Sequence, residues 1–379
     1  MKYRKFPNID LEVSALGFGC MRLPIIGEDS SQIDESLAIK MIRHAIDNGV
    51  NYIDTAYGYH GGNSEIVVGK ALKGGYRNKV NLATKLPVWK LTKIEDADIL
   101  LDEQLKKLDT DHIDFYLLHA LNKQRWDMLK NMNIFSWIEK IKSQGKIKHI
   151  GFSFHDSLDT FKLIIDEYEG WEFCQIQYNY LNRNYQAGEE GLKYAYAKGL
   201  GVIIMEPLLG GKLARKPPEE VQKVWEKAKI KRSPAQWGLL WLWNQKEVTT
   251  VLSGMSSIQQ VIENIETADQ GYVGCLSDEE LKLIDEVTKK YLELKPIDCT
   301  GCKYCLPCPN GVDIPRNFNL YNDAKVYNMY EEAKKTYLKP DKEQQKASNC
   351  VECGMCEEKC PQNLPIRKLL KEVVQFFEG

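Results

Sequence analysis

A chain of 379 residues exceeds the usual single domain, so one large domain joined to a small one is the expectation. Ordinary apolar content and a net charge of −2 argue against nucleic acid as a partner, no apolar run reaches membrane-spanning length, and Met1-Lys-Tyr-Arg-Lys5 leads into no signal-peptide core. The expectation is a cytoplasmic protein with no membrane partner. Eleven cysteines are unusual in that setting, and eight of them crowd after Pro296, where metal ligation accounts for them better than disulfides.

In chain order, Tyr3–Phe6 and Leu11–Ala15 read as a hairpin turning at Pro7-Asn8. Strand and helix signals then alternate. Leu16–Cys20 is strand-like, and a helix over about Asp34–Asn48 places Leu37, Met41, Ile42, Ala45 and Ile46 on one face before Gly49 stops it. Further strands are expected at Tyr52–Ala56, Val80–Leu86, Ile113–His119, Lys148–Phe154, Phe173–Tyr178, Val202–Pro207 and Val248–Ser253. Helical segments fill the gaps, the Trp-rich one over Ser233–Asn244 carrying Pro234 in its first turn. Eight strands after the hairpin, each with a helix before the next, predict a closed (β/α)8 barrel over residues 1–294. No Gly-x-Gly-x-x-Gly turn follows any strand, which disfavours an open, doubly wound sheet.

Polar residues gather where those strands end: Asp54, Lys85, His119, Ser153 and His155, Gln175, Glu206 and Ser253. In a barrel these converge on one mouth. Singly, each has an ordinary structural explanation. The stretch Ile53–Glu65 is the most pointed, because it sets Asp54 at a strand end and Tyr59 in the Gly-rich loop that follows.

The pieces Asp54-Thr-Ala-x-x-Tyr59 with Ser64-Glu65, Ala83-Thr-Lys85, Leu117-Leu-His119, Gly151-Phe-Ser153, Gln175-Ile-Gln-Tyr and Pro207-Leu-x-Gly-Gly together resemble the aldo-keto reductase family. The resemblance implies a catalytic tetrad of Asp54, Tyr59, Lys85 and His119. It also implies an NADP(H) cofactor, with NAD(H) as the competitor, because the loop Ser253–Gln260 has no Lys or Arg to pair with a 2′-phosphate. Cofactor contacts carried over are Cys20 and Met21, Ser153 and Gln175 for the carboxamide, and Met205 on the nicotinamide. Leu208, Gly210, Lys212, Gly254, Ser256, Gln260, Glu263 and Asn264 are assigned along the rest of the dinucleotide. The chemistry agrees: carbonyl reduction needs a hydride on carbon and a proton on oxygen. A free tyrosine, with a pKa of about 10, needs a neighbour such as the Lys85 ammonium to lower it. His119 would aim the carbonyl oxygen at Tyr59. Trp89 and Asn122–Asn131 are expected to wall the substrate pocket.

The tail, residues 295–379, repeats itself. Cys299-x-x-Cys302-x-x-Cys305-x-x-Cys308-Pro309 is followed about forty residues on by Cys350-x-x-Cys353-x-x-Cys356-x-x-x-Cys360-Pro361. It resembles a two-[4Fe–4S] ferredoxin-like domain, mainly helical, with helices expected over Phe318–Tyr337 and Ile366–Phe377. The resemblance implies one cluster on Cys299, Cys302, Cys305 and Cys360 and another on Cys350, Cys353, Cys356 and Cys308. Two four-cysteine zinc sites are the competing explanation.

The expected activity is NAD(P)H-dependent reduction of a small carbonyl compound (aldehyde, ketone or quinone), with Tyr59 as general acid. A nicotinamide passes two electrons as a hydride and a cluster takes one at a time, so a redox partner protein or a flavin mediator is implied. No flavin motif occurs in the sequence. The alternative is an electron-transfer or redox-sensing protein whose barrel binds nucleotide without turning over a carbonyl.

Overall fold

The structure, a computed structural model, describes residues 1–379. Contacts divide the chain into two compact units: Met1–Gly211 with Ala235–Ser277, and Lys212–Pro234 with Asp278–Gly379. This division falls elsewhere than at Leu294, because Lys212–Pro234 and the segment from Asp278 group with the tail. No helix is long and apolar enough to cross a membrane.

In the first unit, β1 (Tyr3–Lys5) and β2 (Glu12–Ser14) form an antiparallel hairpin. Eight parallel strands close into a barrel: β3 (Leu16–Gly19), β4 (Tyr52–Asp54), β5 (Asn81–Leu86), β6 (Ile113–Leu121), β7 (Ile147–Phe154), β8 (Phe173–Gln177), β9 (Gly201–Met205) and β10 (Thr250–Ser253). β10 pairs with both β3 and β9, so no edge is left open. Short strands of almost wholly buried residues are what a parallel sheet covered on both faces requires. Between and after the strands run α1 (Glu35–Asp47), α2 (Ser64–Ala71), α3 (Glu95–Leu108), α5 (Ile134–Ser143), α6 (Leu158–Asp166), α7 (Gly188–Ala197), α9 (Pro234–Trp243) and α10 (Ile258–Ala268).

Tyr52, Ala83, Phe115, Phe173, Ile203 and Leu252 fill the barrel interior. Phe6 of the hairpin plugs its amino-terminal end, stacked on Phe115 with ring centroids 5.1 Å apart. Gly201 makes room for it, since a Cβ there would lie 2.2 Å from the Phe6 ring. Alternation along the strands then sets the next layer. Asp54 pairs with Ala83, and Lys85, two residues further on the same face, pairs with Leu117. His119 lies two residues beyond Leu117, so the three strand-borne tetrad positions stand at the mouth end of the core, with Tyr59 in the loop after β4.

Three helices lie outside the sequence expectation, the shortest being α14 (Met355–Glu358). α4 (Lys123–Asn131) follows β6, with Asn122 capping it by accepting from the Arg125 N–H at 2.8 Å. α8 (Glu219–Trp225) belongs to the second unit and packs on α11 (Asp278–Glu293). The expected tail helix over Phe318–Tyr337 is instead two, α12 (Ile314–Val326) and α13 (Tyr330–Tyr337). Asn328 breaks them apart in a left-handed conformation, φ 53°, which asparagine adopts more readily than most residues. With α15 (Ile366–Glu378), these helices bury Phe318, Tyr337, Leu370 and Phe377 in a core of their own.

Candidate active site

The mouth of the barrel holds a cavity of ≈ 270 Å³ lined by Asp54, Tyr59, Lys85 and His119 together with Ser153, Gln175 and Met205. The Lys85 ammonium is fully buried and donates to both Asp54 carboxylate oxygens at 2.7 Å, to the Thr55 carbonyl at 2.9 Å and to the Tyr59 hydroxyl at 3.5 Å. Burial works against its charge, but Asp54 and Tyr59 together outweigh that and hold its pKa above the usual lysine range. Burial raises the Asp54 carboxyl, opposed by Lys85.

Tyr59 departs from the sequence expectation in one respect. Its pKa lies above, not below, the ordinary tyrosine value, because burial is the largest influence and Lys85 only opposes it. The phenol is therefore protonated throughout the neutral range. His119 is held neutral, its pKa driven down to about 2 by burial and then by the charges of Lys85, His155 and Arg125. Its ring stands edge-on to Tyr59, centroids 6.3 Å apart, and its buried Nδ1 has no protein partner. A neutral imidazole can donate one hydrogen bond but is a poor acid near neutrality. Half-exposed Trp89 lies tilted against His119, ring centroids 5.0 Å apart, and Arg125 of α4 lies over the Trp89 ring at 5.4 Å. The two expected walling segments therefore meet beside the imidazole.

The carried-over cofactor residues separate into two groups. Met21, Ser153, Gln175, Met205, Leu208, Gly210 and Gly254 line the cavity. Cys20 does not: it is fully buried, with its thiol 4.0 Å from the Phe18 carbonyl. Ser256 and Gln260 bond to each other through the Ser256 N–H, and Asn264 donates to Ser253 Oγ at 3.0 Å, bracing the end of β10; neither these nor Glu263 lines the cavity. Lys212 is turned elsewhere, paired with Asp323 of its own unit at 2.7 Å. Sequence reasoning missed Arg22, which lines the cavity and lies 3.5 Å from Glu206. Its adjacency to Met21 was the available signal. Glu206 holds its backbone in the left-handed region, φ 54°, a strained state that clusters at functional sites.

A nicotinamide fits these residues. Gln175 Oε1 is buried in the cavity wall without a partner, an acceptor for a carboxamide N–H. Ser153 Oγ accepts from the Ala120 N–H at 2.7 Å, which leaves its own hydrogen free to donate. Left-handed Gly210 and Gly211, φ 66° and 93°, give a backbone open to close approach.

The tail cysteines line two cavities. Cys299, Cys302, Cys305 and Cys360 border one, and Cys308, Cys350, Cys353 and Cys356 border the other, with Cys305 reaching both. None is in a disulfide, and no group of three or more His, Cys, Asp or Glu is arranged to hold a single metal ion. Four soft thiols around each cavity, against an apolar lining, suit an iron–sulfur cluster.

Comparison with known proteins agrees with both halves. Residues 15–289 match the aldo/keto reductase family and residues 298–364 a 4Fe-4S dicluster domain. L-galactose dehydrogenase of Arabidopsis thaliana is 30% identical over 287 residues, 70% of this chain and 87% of that protein. NADH-specific methylglyoxal reductase of Escherichia coli strain K12 is 26% identical over 336 residues, 76% and 99% of the two chains. Among solved structures, the holo form of aldo-keto reductase AKR11C1 from Bacillus halodurans superposes with a TM-score of 0.62 at 29% identity, covering 76% of this chain and 96% of that one. An aldo-keto reductase from Klebsiella pneumoniae in complex with NADPH gives 0.62 at 25%, covering 76% and 95%. Fold and site define a barrel oxidoreductase. The chain belongs to the aldo/keto reductase family and carries a carboxyl-terminal 4Fe-4S domain.

Proposed function

We propose that this protein reduces a small aldehyde, ketone or quinone with NADP(H), NAD(H) being the competing cofactor, and that Tyr59 is the general acid. The observation that carries the reading is the buried Asp54–Lys85 pair reaching the hydroxyl of half-buried Tyr59, beside a neutral His119. When bound, the nicotinamide supplies a hydride to the carbonyl carbon. His119 donates a hydrogen bond that orients the carbonyl oxygen, and Tyr59 delivers the proton to that oxygen. Lys85 stabilises the phenolate as it forms, and Asp54 holds the ammonium and balances its charge. Gln175 and Ser153 would hold the carboxamide, with Met21 and Met205 against the ring. Similarity to enzymes named as NADPH-bound and as NADH-specific supports the class of cofactor and leaves the preference to the loop Ser253–Gln260.

The grouping of the eight tail cysteines around two cavities supports two [4Fe–4S] clusters that exchange single electrons with a redox partner. The test is NADPH and NADH oxidation by anaerobically purified protein against a panel of aldehydes, ketones and quinones, with iron and sulfide measured on the same sample. Carbonyl-dependent oxidation with about eight irons per chain is expected. Nucleotide binding without any carbonyl turnover would favour an electron-transfer or sensing protein instead.

A further inference from the structure

The two residues that open α2, Ser64 and Glu65, are fully buried and lie outside the cavity. They meet Thr55 and Thr84, the neighbours of Asp54 and Lys85, whose side chains point to the opposite face of their strands. Ser64 Oγ lies 2.9 Å from Thr55 Oγ1 and donates to the Cys20 carbonyl at 2.9 Å. Glu65 Oε1 accepts from Thr84 Oγ1 and from Gln104 Nε2, both at 2.7 Å. Gln104 Nε2 also donates to the Lys85 carbonyl at 3.0 Å, and its Oε1 accepts from the Tyr116 hydroxyl at 2.7 Å. The second Glu65 oxygen has Lys107 Nζ at 3.9 Å, and Lys107 is itself paired with Glu103 at 2.8 Å.

We propose that Glu65 and Gln104 are positioning residues, which fix the Lys85 backbone so that its ammonium stands within reach of Tyr59. The inference rests on the assignment of Tyr59 as the acid. Packing alone does not require a carboxylate and an amide between helix and sheet, because apolar side chains fill such an interface at no desolvation cost. Among these bonds, the one to the Lys85 carbonyl acts directly on a tetrad residue. A lysine reaching its partner at 3.5 Å has little slack, so a small shift of its backbone weakens its hold on the phenol.

The test is Gln104→Met, close in volume but without the hydrogen bonds, with Glu65→Gln as the conservative variant and Thr84→Val as a milder cut should Gln104→Met not fold. The expected result for Gln104→Met is a fall in kcat of about tenfold or more with the nucleotide KM nearly unchanged. The alkaline limb of the reduction profile moves to higher pH, because Tyr59 without a close ammonium gives up its proton less readily. Thr84→Val shifts kcat and limb in the same direction by less, and Glu65→Gln, which keeps an acceptor oxygen, stays within about threefold of the parent. Folded variants that lose thermal stability but keep the parent kcat and limb would overturn the inference and leave the reaction assignment standing. Equal turnover by the parent and Tyr59→Phe would instead remove that assignment, and the inference with it.

Discussion

The barrel mouth and the cysteine cavities are built on different principles. At the mouth, the protein itself satisfies the charges: the Lys85 ammonium is fully bonded to Asp54, Thr55 and Tyr59, and the strands beneath are packed through Phe6, Phe115 and Phe173. In the tail, the cysteines sit partly buried or exposed at the rim of a small core formed by residues such as Phe318, Leu370 and Phe377. A core of that size stabilises little unaided, and each cavity brings four thiols together beside only a few basic side chains, Lys303 at one and Lys359 and Arg367 at the other. The charges of the first site are met within its polypeptide. The second, on the proposal that clusters fill its cavities, depends on its metal.

The largest effect expected from this difference is on removal of iron. Chelation should collapse hydrogen-exchange protection in α12, α13 and α15 and leave that of β3–β10 nearly intact. Equal loss in both would mean that the barrel leans on the metal as well. Next in size is Lys85→Met, for which a fall in kcat of about a hundredfold or more is expected, with nucleotide affinity retained in a fluorescence titration. A smaller effect concerns pH. Because His119 is neutral and Tyr59 protonated, the reduction rate should be nearly flat from about pH 6 to 9, its fall lying toward and above the ordinary tyrosine value of about 10. An acidic limb near the usual histidine pKa would show that His119 titrates in the working enzyme. Smallest is Gly201→Ala, where the added methyl meets Phe6, and a loss of about 1–3 kcal/mol is expected in denaturant melts without change in kcat. Iron content should be indifferent to it.

The barrel was legible because its signals are local. Short buried strands, helix stops such as Gly49 and Gly145, and polar residues at strand ends all stand in the sequence in order. The tetrad came from the family resemblance; each of its positions occupies a strand end or the loop just after one, and the structure brings all four to one cavity. What escaped notice depends on tertiary contact or on backbone states without a residue signature. Asn328 interrupts a helical pattern with no Gly or Pro to announce it. Lys212 follows Gly210-Gly211, but the direction of its side chain is decided by Asp323, more than a hundred residues away. The upward shift of Tyr59 reflects desolvation of the phenol in the cavity wall, and no spacing rule states that. Gln104 did leave a trace. It shares a helix face with Ala97, Leu101 and Leu108, a polar residue on an apolar stripe, and such a residue asks for a buried partner.

The most direct test of the account is a single-turnover comparison of the parent and Tyr59→Phe. Reduced nucleotide binding is followed by fluorescence and hydride transfer to an aldehyde by the loss of nicotinamide absorbance. Binding within about twofold of the parent and transfer slowed by about a hundredfold or more are predicted, because the phenyl ring keeps the packing and removes the proton. Transfer at the parent rate would contradict the account and place the proton donor elsewhere.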